Sequence, residues 1–262
     1  MNNLINTVQC IDAIELMRSL GDKSVDAYIT DLPYGTTACS WDEIIPFAPM
    51  WAEVKRTLKP RGVFVTTASQ PFTSKLVMSN VGMFRYEWIW AKSNIGGYMN
   101  AQYMPLDAHE SVLVFSPMRA RANQFVSDSM AYYPQGVKPT SKLEKNKLNN
   151  ETVYNNSRGN KKGLTHITTE TGFPKSILEF SSERGLHPTQ KPVALYDYLI
   201  RTYTQPGDLV VDFCCGSGTT GVAAQQLGRD YIMGDTTLDY VMVARKRFAL
   251  PYTPLLFKEL MG

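Results

Sequence analysis

The stretch 208-DLVVDFCCGSGTTGVAAQQLG-228 constrains this chain more than any other. It reads as a strand, a glycine-rich turn and a helix, and 216-GSGTTG-221 fits the G-x-G-x-x-G pattern. Glycines there let the backbone pass close to a ligand, while the helix start presents unpaired N–H groups. The next strand, 231-YIMGD-235, ends in Asp235, 19 residues after Gly216, where a carboxylate can accept hydrogen bonds from ribose hydroxyls. Together these features predict a nucleotide-type cofactor. Only 46 residues follow Gly216, so the sheet has to be completed by N-terminal strands, with its halves in inverted order. Asp212, four residues before Gly216, puts a carboxylate at the strand tip. A cationic ligand suits that tip, which favours S-adenosylmethionine over NAD and its pyrophosphate. A side chain that merely stabilises the turn is the weaker reading.

The N-terminal strands are present. 25-VDAYIT-30, 62-GVFVTT-67, 86-YEWIWA-91 and 110-ESVLVF-115 are short, β-branched or aromatic, and bounded by turns. Between them, 12-DAIELMRSL-20 and 47-FAPMWAEVKRTL-58 carry apolar residues at helical spacing. The pattern returns late in the chain with a short strand at 177–180 and helices at 193–203 and 239–248. This predicts an α/β fold with a mostly parallel sheet and helices on both faces. The expected organisation is a single domain over 1–262, with 1–118 as one half, an insertion at 119–175, and 176–262 as the cofactor half. The insertion breaks the pattern: from Arg119 to Gly172 there are nine Lys and Arg against four acids, interleaved with Tyr132, Tyr133 and Tyr154. A phosphate-contacting surface and a solvated loop-rich lobe both fit that composition.

Composition narrows the class. At 44% hydrophobic and 19% charged, the chain can bury a sizeable core. No run approaches the ~20 apolar residues of a membrane span, and MNNLINTVQC lacks the form of a secretion signal. A cytoplasmic protein with no membrane contact is expected. Cys10, Cys39, Cys214 and Cys215 match no zinc spacing, and His109, His166 and His187 are scattered, so no metal site is predicted.

A second motif, 31-DLPY-34, ends the strand at 25–30 in a carboxylate, a proline carbonyl and an aromatic ring. A strand-ending turn would account for it in isolation. In company, however, these residues resemble the DNA amino-methyltransferases that make N6-methyladenine or N4-methylcytosine. Asp31-Leu32-Pro33-Tyr34 is similar to their D/N/S-P-P-Y/F motif, 212-DFCCGSGTT-220 to their D-P-F-x-G-S-G-T-T, and 187-HPTQKP-192 to the segment that precedes it. The order of the motifs resembles the permuted beta group. It differs from the protein glutamine methyltransferases, whose N-P-P-Y follows the glycine loop. A C5-cytosine enzyme is excluded, because none of the four cysteines follows a proline. Leu32 replaces the first proline, Cys214 the usual Phe, Asp235 a more usual Glu, and Ile11 the glycine before Asp12.

The resemblance implies a Rossmann-like S-adenosylmethionine fold with a target-recognition insertion at 119–175. It implies that Asp31 and the Pro33 carbonyl accept the two N–H groups of an exocyclic amine, and that Tyr34 stacks on a base flipped from the duplex. Asp12 would lie near the cofactor adenine, and also caps the helix that follows. Asp212, Cys214, Gly216, Ser217 and Gly218 would line the methionine end, Asp235 the ribose, and Thr189 and Lys191 would approach the same ligand. His109-Glu110 is expected to be structural; Trp41-Asp42 could help hold either DNA or the catalytic loop, with Trp41 as core filler the preferred reading. The expected partner is double-stranded DNA. Many relatives form a homodimer, and a cognate restriction enzyme leaves no signature in the chain. Adenine N6 is favoured over cytosine N4 because the cytosine enzymes of the family usually begin the motif with Ser. An NAD-type oxidoreductase and an inactive DNA-binding relative are the alternatives from other classes.

Overall fold

A computed structural model describes residues 3–37, 39, 42–120, 129–145, 165–183 and 190–249. Along the chain run β1 (Thr7–Cys10), α1 (Ala13–Ser19), β2 (Val25–Asp31), α2 (Phe47–Thr57), β3 (Leu58–Ala68) and α3 (Phe72–Ser79). Next come β4 (Phe84–Gly96), β5 (Asp107–Phe115), β6 (Lys138–Lys145), β7 (Thr165–Thr171) and β8 (Ile177–Phe180). The chain ends in α4 (Val193–Tyr203), β9 (Leu209–Asp212), α5 (Thr219–Gln226), β10 (Asp230–Asp235) and α6 (Leu238–Phe248). Two compact units result: Met1–Tyr133 together with Ser176–Gly262, and Pro134–Lys175.

The first unit is built on a sheet in the order β1-β10-β9-β2-β3-β5-β4-β8, eight strands among the described residues. The first five strands are mutually parallel. β5 runs antiparallel to both of its neighbours, and β8 is parallel to β4. Strands covered on both faces must be apolar on both, which is why β2 and β9 lack simple alternation. Ala27, Ile29 and Val210 face the side of α4, α5 and α6, with Leu199, Val222 and Val241. Tyr28 and Val211 face the side of α1, α2 and α3, with Leu16, Val54 and Leu76. At the start of α1, Asp12 Oδ1 accepts the N–H groups of Ile14 at 2.9 Å and Glu15 at 3.1 Å, the N-cap expected of it.

The expected strands and helices all form. Strand β1, helix α3 and the β6–β7 pair appear where the apolar pattern announced no element. Helix α3 is only eight residues long and opens after a proline, without a capping side chain, so no start signal marked it. The second unit contains an antiparallel hairpin of β6 and β7 within sequence whose polar, aperiodic composition read as loop.

Candidate active site

β9 and β2 are parallel neighbours, with Ala27 opposite Val210 and Tyr28 opposite Val211. From β9 the chain passes through α5 to β10 on one side; from β2 it passes through α2 to β3 on the other. At such a switch point the loops leaving the strand ends part and open a crevice. A cavity of about 700 Å³ lies there, bordered by Asp12, Asp31, Pro33, Asp212, Gly216 and Asp235.

On the β9 side, the glycine turn is shaped by its neighbours. Gly218 sits at φ +83°, in the left-handed region, and donates its N–H to the Cys215 carbonyl at 2.8 Å. A Cβ there would lie 2.8 Å from the Ala244 Cβ, and one at Gly221 would lie 2.4 Å from Phe248 Cζ. These two glycines therefore let α6 close onto the start of α5. From α6, the buried Arg247 guanidinium donates through Nη1 to the Ser217 carbonyl at 2.7 Å and to Ser217 Oγ at 3.1 Å. The Ser217 hydroxyl is thus turned toward Arg247, a residue to which sequence reading assigned no part. Asp235 accepts the Gly216 N–H at 2.9 Å on Oδ2 and the Thr237 N–H at 2.8 Å on Oδ1. A carboxylate oxygen has two lone pairs, so each retains one for a further donor.

Asp212 is only 2% exposed. The Thr30 hydroxyl at 2.7 Å and the Cys214 N–H at 3.0 Å donate to Oδ1, and the Thr220 hydroxyl at 2.6 Å donates to Oδ2. These bonds tie β9 to β2 and α5, the turn-stabilising arrangement that sequence reading had ranked second. Burial pushes the carboxyl pKa up to about 7, against the lowering pull of those donors. Burial, reinforced by the carboxylates of Asp212, Asp235 and Asp31, also drives the Cys214 thiol well above its ordinary value. Cys214 is therefore a neutral lining group beside the cavity.

On the β2 side, Asp31 is the centre of a charged cluster. Its Oδ1 accepts from the hydroxyls of Thr67 and, at 2.9 Å, Tyr34. Its Oδ2 lies 3.0 Å from Lys191 Nζ, which also lies 3.1 Å from Glu110 Oε2. Lys191 is 8% exposed. Burial would lower its pKa, but Asp31 and Glu110 more than offset this and the net shift is upward, so the ammonium stays charged. Lys92 Nζ extends the cluster, 3.5 Å from Glu110 Oε1 and 2.9 Å from Asp107 Oδ2. Lys191, expected close to the cofactor, borders the cavity with its ammonium paired on the Asp31 side; Glu110, expected to be structural, borders the cavity too and holds that ammonium.

Tyr34 borders the same cavity. Its ring stacks on Phe72, centroids 5.2 Å apart at 25°, while its hydroxyl points at Asp31 and lies 3.4 Å from Glu110 Oε2. Burial and those two carboxylates hold the phenol well above its usual pKa. The loop that follows is fixed by Asp42, whose Oδ1 accepts the N–H groups of Tyr34 and Gly35 and whose Oδ2 accepts those of Thr36 and Thr37, all within 2.7–2.9 Å. Of the two roles left open for Asp42, this is the loop-holding one. Trp41 and Thr189 lie outside the described residues.

A family model described as DNA methylase, of the N6/N4 type, matches residues 25–246. The chain belongs to the DNA methylase family. The matched span takes in both the Asp31 loop and the glycine turn and leaves β1 and Asp12 outside it. This DNA methyltransferase is 28% identical over 256 residues to the type II methyltransferase M.HpaI of Haemophilus parainfluenzae, covering 91% of this chain and 72% of that one. Among solved structures, the PvuII cytosine-N4-specific DNA methyltransferase superposes with a TM-score of 0.67 at 18% identity, covering 96% of this chain and 88% of that one. The complex of M1.HpyAVI with S-adenosylmethionine superposes with a TM-score of 0.57 at 24% identity, covering 92% and 98%. The α/β methyltransferase fold read from the sequence is the fold these structures share. Among the described residues of this methylase, no cluster of His, Cys, Asp and Glu is arranged to hold a metal, and no helix is long and apolar enough to cross a membrane.

Proposed function

We propose that this methylase transfers a methyl group from S-adenosylmethionine to the exocyclic N6 amine of an adenine flipped out of double-stranded DNA. The observation that carries this reading is the meeting of Asp31 and the glycine turn at one cavity, from segments at opposite ends of the chain. The residues present fit the cofactor. Asp12 and Asp235 offer acceptors to an adenosine moiety, and the Gly216-Ser217-Gly218 turn brings backbone close to the same space. Asp212, with its pKa near 7, becomes more readily ionised when a cation arrives beside it. When bound, the cofactor supplies an electrophilic methyl on a sulfonium.

The chain's own residues supply orientation. An exocyclic amine is a weak nucleophile because its lone pair is delocalised into the ring. Asp31 and the Pro33 carbonyl accept its two N–H groups, so the nitrogen pyramidalises and aims its lone pair along the transfer line. Lys191 fixes the carboxylate from behind, and Glu110 fixes Lys191. Asp42 holds the Tyr34–Thr37 backbone that follows the motif. The 119–175 segment, including the β6–β7 hairpin, supplies target recognition on this reading.

Adenine is preferred because Asp opens the motif. Cytosine N4 is the second reading, motivated by the fold likeness to the PvuII cytosine-N4-specific methyltransferase; both bases present the same kind of amine. The test is nucleoside mass spectrometry after incubating unmethylated DNA with the protein and labelled S-adenosylmethionine. Labelled N6-methyladenine is expected. Labelled N4-methylcytosine would change the base and keep the mechanism, whereas no label, with cofactor binding shown separately, would sink both.

A further inference from the structure

The connection between β4 and β5 carries a surface that the site above does not use. Ile95, Tyr98, Met99, Tyr103, Met104 and Leu106, all exposed, fall within this one stretch. Met99 is 97% exposed and Tyr103 87%. Apolar side chains gathered so densely in solvent mark an interaction surface. The backbone beneath them is formed by its own turns: Asn100 donates its N–H to the Gly97 carbonyl at 2.9 Å, and Tyr103 and Met104 donate theirs to the Asn100 carbonyl at 2.9 and 3.0 Å. The side chains are therefore displayed from an ordered platform.

Topology fixes where that platform stands. β5 runs antiparallel to β3, and β4 antiparallel to β5. β4 thus ends, and β5 begins, at the end of the sheet that bears Asp31. Lys92 and Asn94 on β4 and Glu110 on β5 border the site cavity. The ladder reaches Gly96 opposite Asp107 before the chain turns. A bulge in β4 lies between Ala91, opposite His109, and Gly96, opposite Asp107, so from Glu110 on the cavity wall the ladder runs three β5 residues, roughly 10 Å at about 3.3 Å per residue, to the base of the connection. Residues 93–106 hold no charged side chain, and Asn94, Asn100 and Gln102 are interspersed among the tyrosines and methionines.

We propose that residues 97–106 form a DNA-contacting element. Met99 and Tyr103 pack on the base faces uncovered when the target base leaves the stack, and Asn100 and Gln102 meet base edges. The proposal rests on the DNA methylation reading and deepens it. Removing a base forfeits stacking and strands its partner, and apolar wedges and aromatic rings offset that loss. Asn and Gln amides match base edges in the grooves. A second copy of this chain is the competing occupant. The position of the element on strands that wall the cavity favours DNA, because a base entering there brings its duplex against this rim.

The test uses the full chain carrying Met99→Ser and Tyr103→Ser together, both at solvated positions, with an unchanged melting temperature as the check of folding. In filter binding, affinity for unmethylated duplex fragments made by amplification is expected to fall about tenfold or more. Labelled methyl transfer to the duplex should fall at least as far, with transfer to heat-denatured copies, S-adenosylmethionine affinity and sedimentation little changed. Unchanged duplex affinity overturns the proposal; so does conversion of a dimer to a monomer with equal losses on both DNA forms. Wild-type protein that binds duplex through these residues but labels no DNA would defeat the methylation reading and leave the DNA contact standing.

Discussion

Asp31 illustrates how much a single side chain depends on others to hold its aim. Its Oδ1 accepts from Thr67 and Tyr34 and its Oδ2 pairs with Lys191, so the carboxylate has one orientation available and one Oδ2 lone pair left for the amine. Asp31→Ala removes the acceptor and is expected to lower kcat by ~10²–10³, with S-adenosylmethionine affinity largely retained in calorimetry; substantial residual turnover would remove Asp31 from the mechanism. Lys191→Ala acts differently, because it leaves Asp31 and Glu110 facing each other without the ammonium. Breaking such a buried pair costs about 3–5 kcal/mol, discounted here because the Asp31 side chain is 23% exposed. Chemical denaturation should therefore show a drop at the low end of that range, and labelled transfer should fall with it. An unchanged denaturation midpoint would show that the ion pair contributes nothing net.

Among elements, the decisive contact is α6 against the glycine turn. Gly221 has no room for a methyl beside Phe248. Gly221→Ala should cost about 1–3 kcal/mol through overpacking, and Phe248→Ala in the same chain should restore part of it. The sign of that double-mutant coupling is the readout; simple additivity would mean α6 is free to shift. Arg247→Ala removes the donor that holds the Ser217 carbonyl. It is expected to weaken S-adenosylmethionine binding about tenfold, roughly the worth of one charge-assisted hydrogen bond, measured by calorimetry, with kcat at saturation less affected.

For the whole molecule, the buried Asp212 couples stability to pH. Its folded pKa is raised to about 7 by burial, whereas an unfolded Asp titrates near ~3.9. The folded state therefore binds the extra proton, and the stability this provides is fully present below pH ~4 and lost as pH rises through about 7. Asp212→Asn mimics the protonated acid. Between pH 5 and 8 the melting temperature of the parent should fall relative to that variant, and parallel curves would assign the titration elsewhere. A saturating cationic cofactor should reduce the difference by favouring the carboxylate.

The strand–turn–helix at 208–228, the carboxylate at 235 and the 31-DLPY-34 motif could be read from the sequence because each is carried by neighbours in the chain. The same holds for helices α1, α2, α4 and α6, whose apolar spacing is local. α3 escaped because eight residues without a capping side chain carry too little pattern. Arg247, and the pairing of Lys191 with Asp31 and Glu110, escaped for a different reason. Lys191 meets Asp31 across 160 positions of sequence, Tyr34 meets Glu110 across 76, and Arg247 meets Ser217 across 30. Nothing in the chain near any of them announces the partner. The sequence by itself therefore determined the family, the inverted order of the halves and the motif that ends β2 in Asp31. Tertiary structure alone decided which charges hold that acid, that Tyr34 points its hydroxyl at Asp31, and that Asp212 is enclosed, because burial and long-range proximity arise only when β2, β5, β9 and α6 are brought to one end of the sheet.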